Sequence, residues 1–266
     1  MTTVLKLGGS VITHKDQPET VDADALARTA ATIGGAVDDG GDLVLVHGAG
    51  SFGHYHADRH GVSQAAGSTD AEALSAIHGS MTDLNRAVLT ELHDRDVPAL
   101  PVRPLSFAYR RDGLSLPTGA VEAMLVEGFV PTLHGDVVTH DGKGATILSG
   151  DEVVVSLARS LSADRVGLVS TVPGVLDGDG EVVSRIASLD DVADALDASD
   201  ATDVTGGMAG KVRTLLGLDT PAHVFGLDDL PAFLSGGSPG TVVGGEDSRP
   251  ARSPGSSDRS ADPTDG

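Results

Sequence analysis

The chain has 266 residues, 39% of them hydrophobic but only 3% aromatic, with no Cys and no Trp. Its 39 acidic residues against 18 basic ones leave a formal charge of −21. Such a surface repels nucleic acid and anionic membranes, and the lack of cysteine removes disulfides and thiolate catalysis and leaves zinc only His and carboxylate ligands.

The first residues, MTTVLKLGG, read as a strand at Val4–Leu7 rather than as a signal peptide. Asp22–Val37 has helical spacing, with Ala25, Leu26, Thr29, Ile33 and Ala36 on one face. A strand at Asp42–Val46 enters the glycine-rich stretch HGAGSFGH (47–54). Thr69–Asp94 is the longest helical stretch, with Leu74, Ile77, Met81, Leu84, Val88 and Leu92 at steps of three and four. Ala99–Val102 reads as a strand, Gly119–Glu127 as a helix and Phe129–Leu133 as a strand. Val137–His140 and Ala145–Leu148 flank the turn signal Asp-Gly-Lys-Gly and read as a hairpin. Then come a helix at Glu152–Leu161, a strand at Arg165–Ser170, helices at Ser188–Ala198 and Gly210–Leu216, and strands at Ala222–Phe225 and Thr241–Val243. Residues 245–266 lack apolar periodicity and read as a disordered acidic tail.

Strands alternating with helices predict an α/β fold, a mainly parallel open sheet with helices on both faces. Residues 1–244 form one such domain, with a soft division near residue 145 and no internal repeat. No apolar run is long enough to span a bilayer, which points to the cytoplasm. Only four of the basic residues are Lys and fourteen are Arg. Scarce Lys and abundant Asp suggest a salt-rich cytosol, where screening makes the self-repulsion tolerable.

The stretch GAGSFG (48–53) matches G-x-G-x-x-G literally, and Asp70 sits near the offset of a ribose ligand. It follows the second strand rather than the first, however, and the first strand has a glycine turn of its own, KLGGS. A dinucleotide fingerprint is therefore the weaker reading. TGGMAGKV (205–212) resembles a P-loop, but Thr205 stands where the first Gly belongs and Val212 where Ser or Thr would hold magnesium. His56 and His60 lie four apart, as a helical zinc pair would, yet the HExxH glutamate is missing.

The lysines are more telling. Lys6, Lys15 and Lys211 lie in or beside glycine-rich turns, and only Lys143 sits in an ordinary hairpin turn. A compact ammonium suits moving phosphate charge, and the peptide N–H groups of Gly8, Gly9 and Ser10 can cradle phosphates because glycine lets the backbone approach closely. A transferring phosphoryl group needs little beyond such positioning and charge.

KLGGSVITHK (6–15), HGAGSFGH (47–54), PTLHGDVV (131–138), SGDEVV (149–154) and DVTGGMAGKV (203–212) together resemble the amino acid kinase superfamily, and within it the isopentenyl phosphate kinase branch. The resemblance implies a three-layer αβα sandwich and a homodimer, with an N-terminal half for the phosphate-accepting substrate and a C-terminal half for ATP with Mg²⁺. Lys6 with Gly8, Gly9 and Ser10 would hold the β- and γ-phosphates, and Lys15 would stabilise the transition state. Lys211, with Gly207, would bind ATP phosphates, and Asp151 would orient the lysines. Ala49, Gly50 and Gly150 would line the meeting point, and His54 would bind the phosphate of isopentenyl phosphate. No residue is assigned to a protein-held metal. Where the family usually has two aspartates in its nucleotide segment, STVPGVLD (170–177) has Val172 and Pro173. Two rivals stand beside this reading: a sister kinase for another small phosphate or carboxylate, and a nucleotide-binding protein without turnover.

Overall fold

The computed structural model describes residues 1–37, 40–192 and 207–245. The large sheet is built from β1 (Thr2–Leu7), β2 (Asp42–His47), β3 (Ala99–Pro101), β6 (Val130–His134), β9 (Arg165–Ser170), β10 (Arg185–Ile186), β11 (Ala222–Gly226) and β12 (Thr241–Val243). Its order is β10-β12-β11-β9-β1-β2-β6-β3, parallel except for the β11–β12 pair. A second sheet, which the sequence reading foresaw only as a hairpin, runs β5-β4-β7-β8. Here β7 (Asp136–His140) and β8 (Gly144–Leu148) form that hairpin, and the two-residue strands β4 (Tyr109–Arg110) and β5 (Leu114–Ser115) extend it.

Successive side chains of a strand point to opposite faces, and here the alternation sorts the core into two layers. Val4 of β1 and Val44 and Val46 of β2 join one apolar cluster, whereas Leu5, Leu7, Leu43 and Leu45 join the other. The first cluster is covered by α5 (Gly119–Val126), α6 (Gly150–Ser160) and α7 (Gly207–Leu215), through Val121, Val153, Val154, Leu157, Val212 and Leu215. The second is covered by α2 (Ala23–Val37), α4 (Ala71–His93) and α8 (Leu230–Leu234), through Leu26, Ile33, Met81, Leu84, Val88 and Phe233. This is the expected αβα sandwich.

Local chemistry sets the helix starts. Asp70, weighed above as a ribose ligand, is instead the N-cap of α4 and accepts hydrogen bonds from the N–H groups of Glu72 and Ala73. Ser149 and Glu152 form a reciprocal capping box at the start of α6. The glycine-rich stretch after HGA is largely the helix α3 (Gly50–His60). Its mixed small and polar residues show no apolar period from which a helix would be inferred. The helix after TGG starts at Gly207, three residues before the sequence reading placed it. Leu189–Val192 is a short 3₁₀ turn, and the remainder of the helix expected at 188–198, like the tail from 246, lies outside the described residues.

Candidate active site

Four parallel strands end level with one another. Leu7 pairs in register with His47 and Val169, and His47 pairs with His134, so the chain leaves β1, β2 and β6 as Gly8, Gly48 and Gly135 along one edge. Open α/β sheets collect ligands at this carboxyl edge. A cleft of about 310 Å³ opens there.

Lys6 is the anchor of one wall. It shares the face of Val4, so β1 aims it toward α6, where Asp151 occupies the first turn. The two are 6% and 8% exposed, and Lys6 Nζ lies 2.6 Å from Asp151 Oδ1. Burial by itself pushes the Asp151 carboxyl up, but the charges of Lys6 and Lys211 and the Lys6 hydrogen bond outweigh it and hold the group below its ordinary range. Gly150 is small for a reason: a Cβ there would stand 3.1 Å from Lys6 Cε.

The two glycine turns interlock. A Cβ on Gly9 would overlap the backbone of Gly50, and one on Gly48 would lie 2.6 Å from Gly9 N. Gly50 itself has φ +51, in the left-handed region that glycine tolerates. Thr13 ties the turns together, its hydroxyl donating to Gly9 O at 2.9 Å and accepting from Ser51 N at 3.0 Å. The eleven-residue helices α3 and α6 both begin at the cleft, with Gly50 and Gly150 in its lining, so their positive ends meet there.

Lys15, Lys211, Ser10, Ala49 and His54 also border the cleft. Gly207 is the first residue of α7, one turn before Lys211. Beyond His54 the lining turns apolar through Ala57 of α3, Ile77 and Met81 of α4 and Ile147 of β8. On the other side lie Ser170 at the end of β9 and Thr171 and Val172 after it, with Val224 of β11 and Met208 of α7. The cleft therefore has a cationic, donor-rich centre between two less polar arms. Such a centre can hold two phosphoryl-bearing molecules end to end.

The other histidines have structural partners. His56 Nε2 lies 3.0 Å from Glu19 Oε1, and among the described residues no group of three or more metal-type ligands assembles. His47 and His134 are fully buried side by side, ring centroids 5.4 Å apart. His134 does not itself border the cleft, but Gly135 and Asp136 do. Asp136 receives Nδ1 of His78 at 2.9 Å and the N–H groups of Leu105 and Val137. His78 and Asn85 escaped the sequence reading. Their signal was present: two polar residues seven apart, within the apolar stripe of α4.

The sequence profile of the amino acid kinase family matches residues 1–218. The chain belongs to the amino acid kinase family. Among relatives in this family, it is 61% identical over 245 residues to an isopentenyl phosphate kinase of Haloferax volcanii, covering 91% of this chain and 98% of that one. It is 35% identical over 195 residues to the isopentenyl phosphate kinase of Methanocaldococcus jannaschii, covering 70% and 75%. A solved isopentenyl phosphate kinase superposes with a TM-score of 0.78 at 27% identity, over 91% of this chain and all of that one.

Proposed function

We infer that the protein is an ATP-dependent kinase that transfers the γ-phosphoryl group of ATP to isopentenyl phosphate, yielding isopentenyl diphosphate and ADP for isoprenoid synthesis. The observation that carries this reading is the convergence of Lys6, Lys15, Lys211 and Asp151 with two interlocked glycine turns and His54 around one cleft. The 61% identical isopentenyl phosphate kinase supports the choice of substrate.

In this proposal ATP lies on the α7 and β9 side, and isopentenyl phosphate on the α3 and α4 side. Lys6, the N–H groups of Gly8, Gly9 and Ser10, and Lys211 hold the β- and γ-phosphates, with Gly207 shaping the turn that carries Lys211. Lys15 meets the charge of the phosphoryl group in flight. Asp151 keeps Lys6 charged and aimed. His54 donates a hydrogen bond to the phosphate of isopentenyl phosphate, while Ala49, Gly50 and Gly150 bring the two phosphates together. The attacking oxygen belongs to a phosphate monoester whose second pKa is near 6, so no strong general base is required. The isopentenyl group faces the apolar arm of Ile77, Met81 and Ile147.

Mg²⁺ fits this site as a passenger on the nucleotide. It is a small hard cation that keeps several waters and commonly binds through substrate phosphates. Asp151, the carboxylate at the centre, is already engaged with Lys6. When bound, the ion would spread the phosphate charge that the lysines also face.

A cytoplasmic homodimer in a salt-rich cell completes the proposal. The acidic composition supports the salt and argues against nucleic acid as a partner, and no helix among the described residues is long and apolar enough to cross a membrane. The deciding experiment is ADP release at high KCl with ATP, Mg²⁺ and a panel of isopentenyl phosphate, dimethylallyl phosphate, uridylate, glutamate and acetylglutamate. Turnover confined to the isoprenoid phosphates is expected. Turnover only on another substrate would keep the fold's chemistry and discard the substrate, and bound ATP without turnover would favour a binding protein.

A further inference from the structure

His47 is buried to 0% exposure at the end of β2, and no step of the proposed reaction uses it. Its Nδ1 lies 3.1 Å from the carbonyl oxygen of the next residue, Gly48, and its Nε2 lies 3.1 Å from Oδ1 of the Asn85 side-chain amide on α4. Burial, with the neighbouring His134 adding to it, lowers its pKa to about 3, so the ring is neutral and carries one N–H. A carbonyl only accepts. The Gly48 carbonyl is fixed in the backbone, so Nδ1 holds the proton, and the Asn85 amide, whose two ends are alike in shape, is assigned with its NH₂ in place of Oδ1 toward Nε2.

The backbone of this turn can be accounted for group by group. Gly48 N–H donates to Leu7 O at 2.9 Å, and His47 O accepts from Gly135 N at 3.1 Å. Gly48 O is taken by the His47 ring. The Gly48–Ala49 peptide is trans, so its N–H points opposite to that carbonyl. Ala49 N–H has no acceptor among the described residues, and Gly48 and Ala49 border the cleft. Strand β6 repeats the device, with His134 Nδ1 2.8 Å from Gly135 O.

We propose that His47, braced by Asn85, is a positioning residue that turns the Gly48–Ala49 peptide so that the Ala49 N–H faces the phosphate of the phosphoryl-accepting substrate. The inference rests on the kinase reading above. It adds a coupling: α4, whose Ile77 and Met81 line the apolar arm, also sets the donor at the phosphate end through Asn85, about one turn beyond Met81. Helix position and phosphate contact then move together.

The test compares His47→Leu, His47→Asn and Asn85→Leu with the wild-type chain in steady-state assays that vary isopentenyl phosphate and ATP separately. An Asn side chain places an amide N–H near the Nδ1 position and keeps the bond to Gly48 O. His47→Leu is expected to raise the isopentenyl phosphate KM about tenfold with the ATP KM changed by less than about twofold, and His47→Asn to recover most of the loss. Equal shifts in both KM values, or an Asn variant no better than Leu, would overturn the proposal. If His47→Leu does not fold, Asn85→Leu decides, with an expected rise of about threefold in the isopentenyl phosphate KM alone; an unchanged value overturns it. Wild-type protein that turns over no isoprenoid phosphate removes the kinase reading and this inference with it, whereas an active wild type with indifferent variants removes the inference alone.

Discussion

Lys6 on β1 and Asp151 in the first turn of α6 meet at 2.6 Å although 145 residues separate them, and both are buried at the edge where the central strands end. Removing one partner takes from the other its opposite charge. Asp151→Ala should cost about 3–5 kcal/mol of stability, because a buried ammonium loses the carboxylate that faces it. Asp151→Asn should cost less stability yet still slow turnover, because a neutral amide no longer holds the lysine charge in place. Urea unfolding and kcat on the same variants check both statements. A stable Asp151→Ala protein with full activity would remove the pair from the mechanism.

His47 and His78 predict opposite pH slopes. His47 titrates at about 3 when folded, against 6.5 in the open chain. Its contribution is full above 6.5 and declines by about 1.4 kcal/mol per pH unit as pH falls from there toward the folded value. His78 is raised above 6.5, first by its hydrogen bond to Asp136 and despite its partial burial. Its contribution is full below 6.5 and is lost as pH climbs through the folded value. Urea midpoints from about pH 5 to about pH 9 should show His47→Asn flattening the acid limb and His78→Gln the alkaline one.

Gly9→Ala should be far more damaging than its chemistry suggests. The new methyl would land on the Gly50 backbone, so the two phosphate turns must separate. A rise in KM for both ATP and isopentenyl phosphate is expected, with a loss of stability of about 1–3 kcal/mol. Gly35→Ala on α2 is the control. Nothing lies within 4 Å of a Cβ there, and the helix should gain about 0.5–1 kcal/mol.

His54→Ala should raise the isopentenyl phosphate KM or lower kcat while ATP binding stays nearly intact. Lys211→Ala should do the reverse and weaken ATP. Calorimetric titration of ATP into both variants separates them. A collapse of ATP affinity in His54→Ala would mean that the two arms of the cleft have been exchanged.

Stability should rise with KCl between about 0.1 M and about 2 M, because a net charge of −21 repels itself and salt shortens the reach of that repulsion. Thermal unfolding across this range measures it, and a flat response would make the composition an ordinary acidic one.

The strands and long helices were legible because their signals are local. The short apolar runs of β1 and β2, each stopped by glycine, and the three-and-four spacing of α4 depend only on which residues must be buried. The scarcity of lysine made Lys6, Lys15 and Lys211 conspicuous before any contact was known. By itself, the sequence thus determined the layered α/β class and the residues able to face phosphate, since residue type and spacing carry that information.

What only the tertiary structure decided is who meets whom. The helix α3 was hidden because small and polar residues give no apolar period; its packing against α4, where a Cβ on Gly53 would lie 2.6 Å from Met81 Sδ, is a long-range fact. The β4 and β5 additions are too short to carry a period at all. Asn85 and His78 look like blemishes on an apolar stripe until β2 and β7 bring His47 and Asp136 to them. A buried polar group is explained only by its partner, and partners 38 and 58 residues away are joined by the fold rather than by the chain.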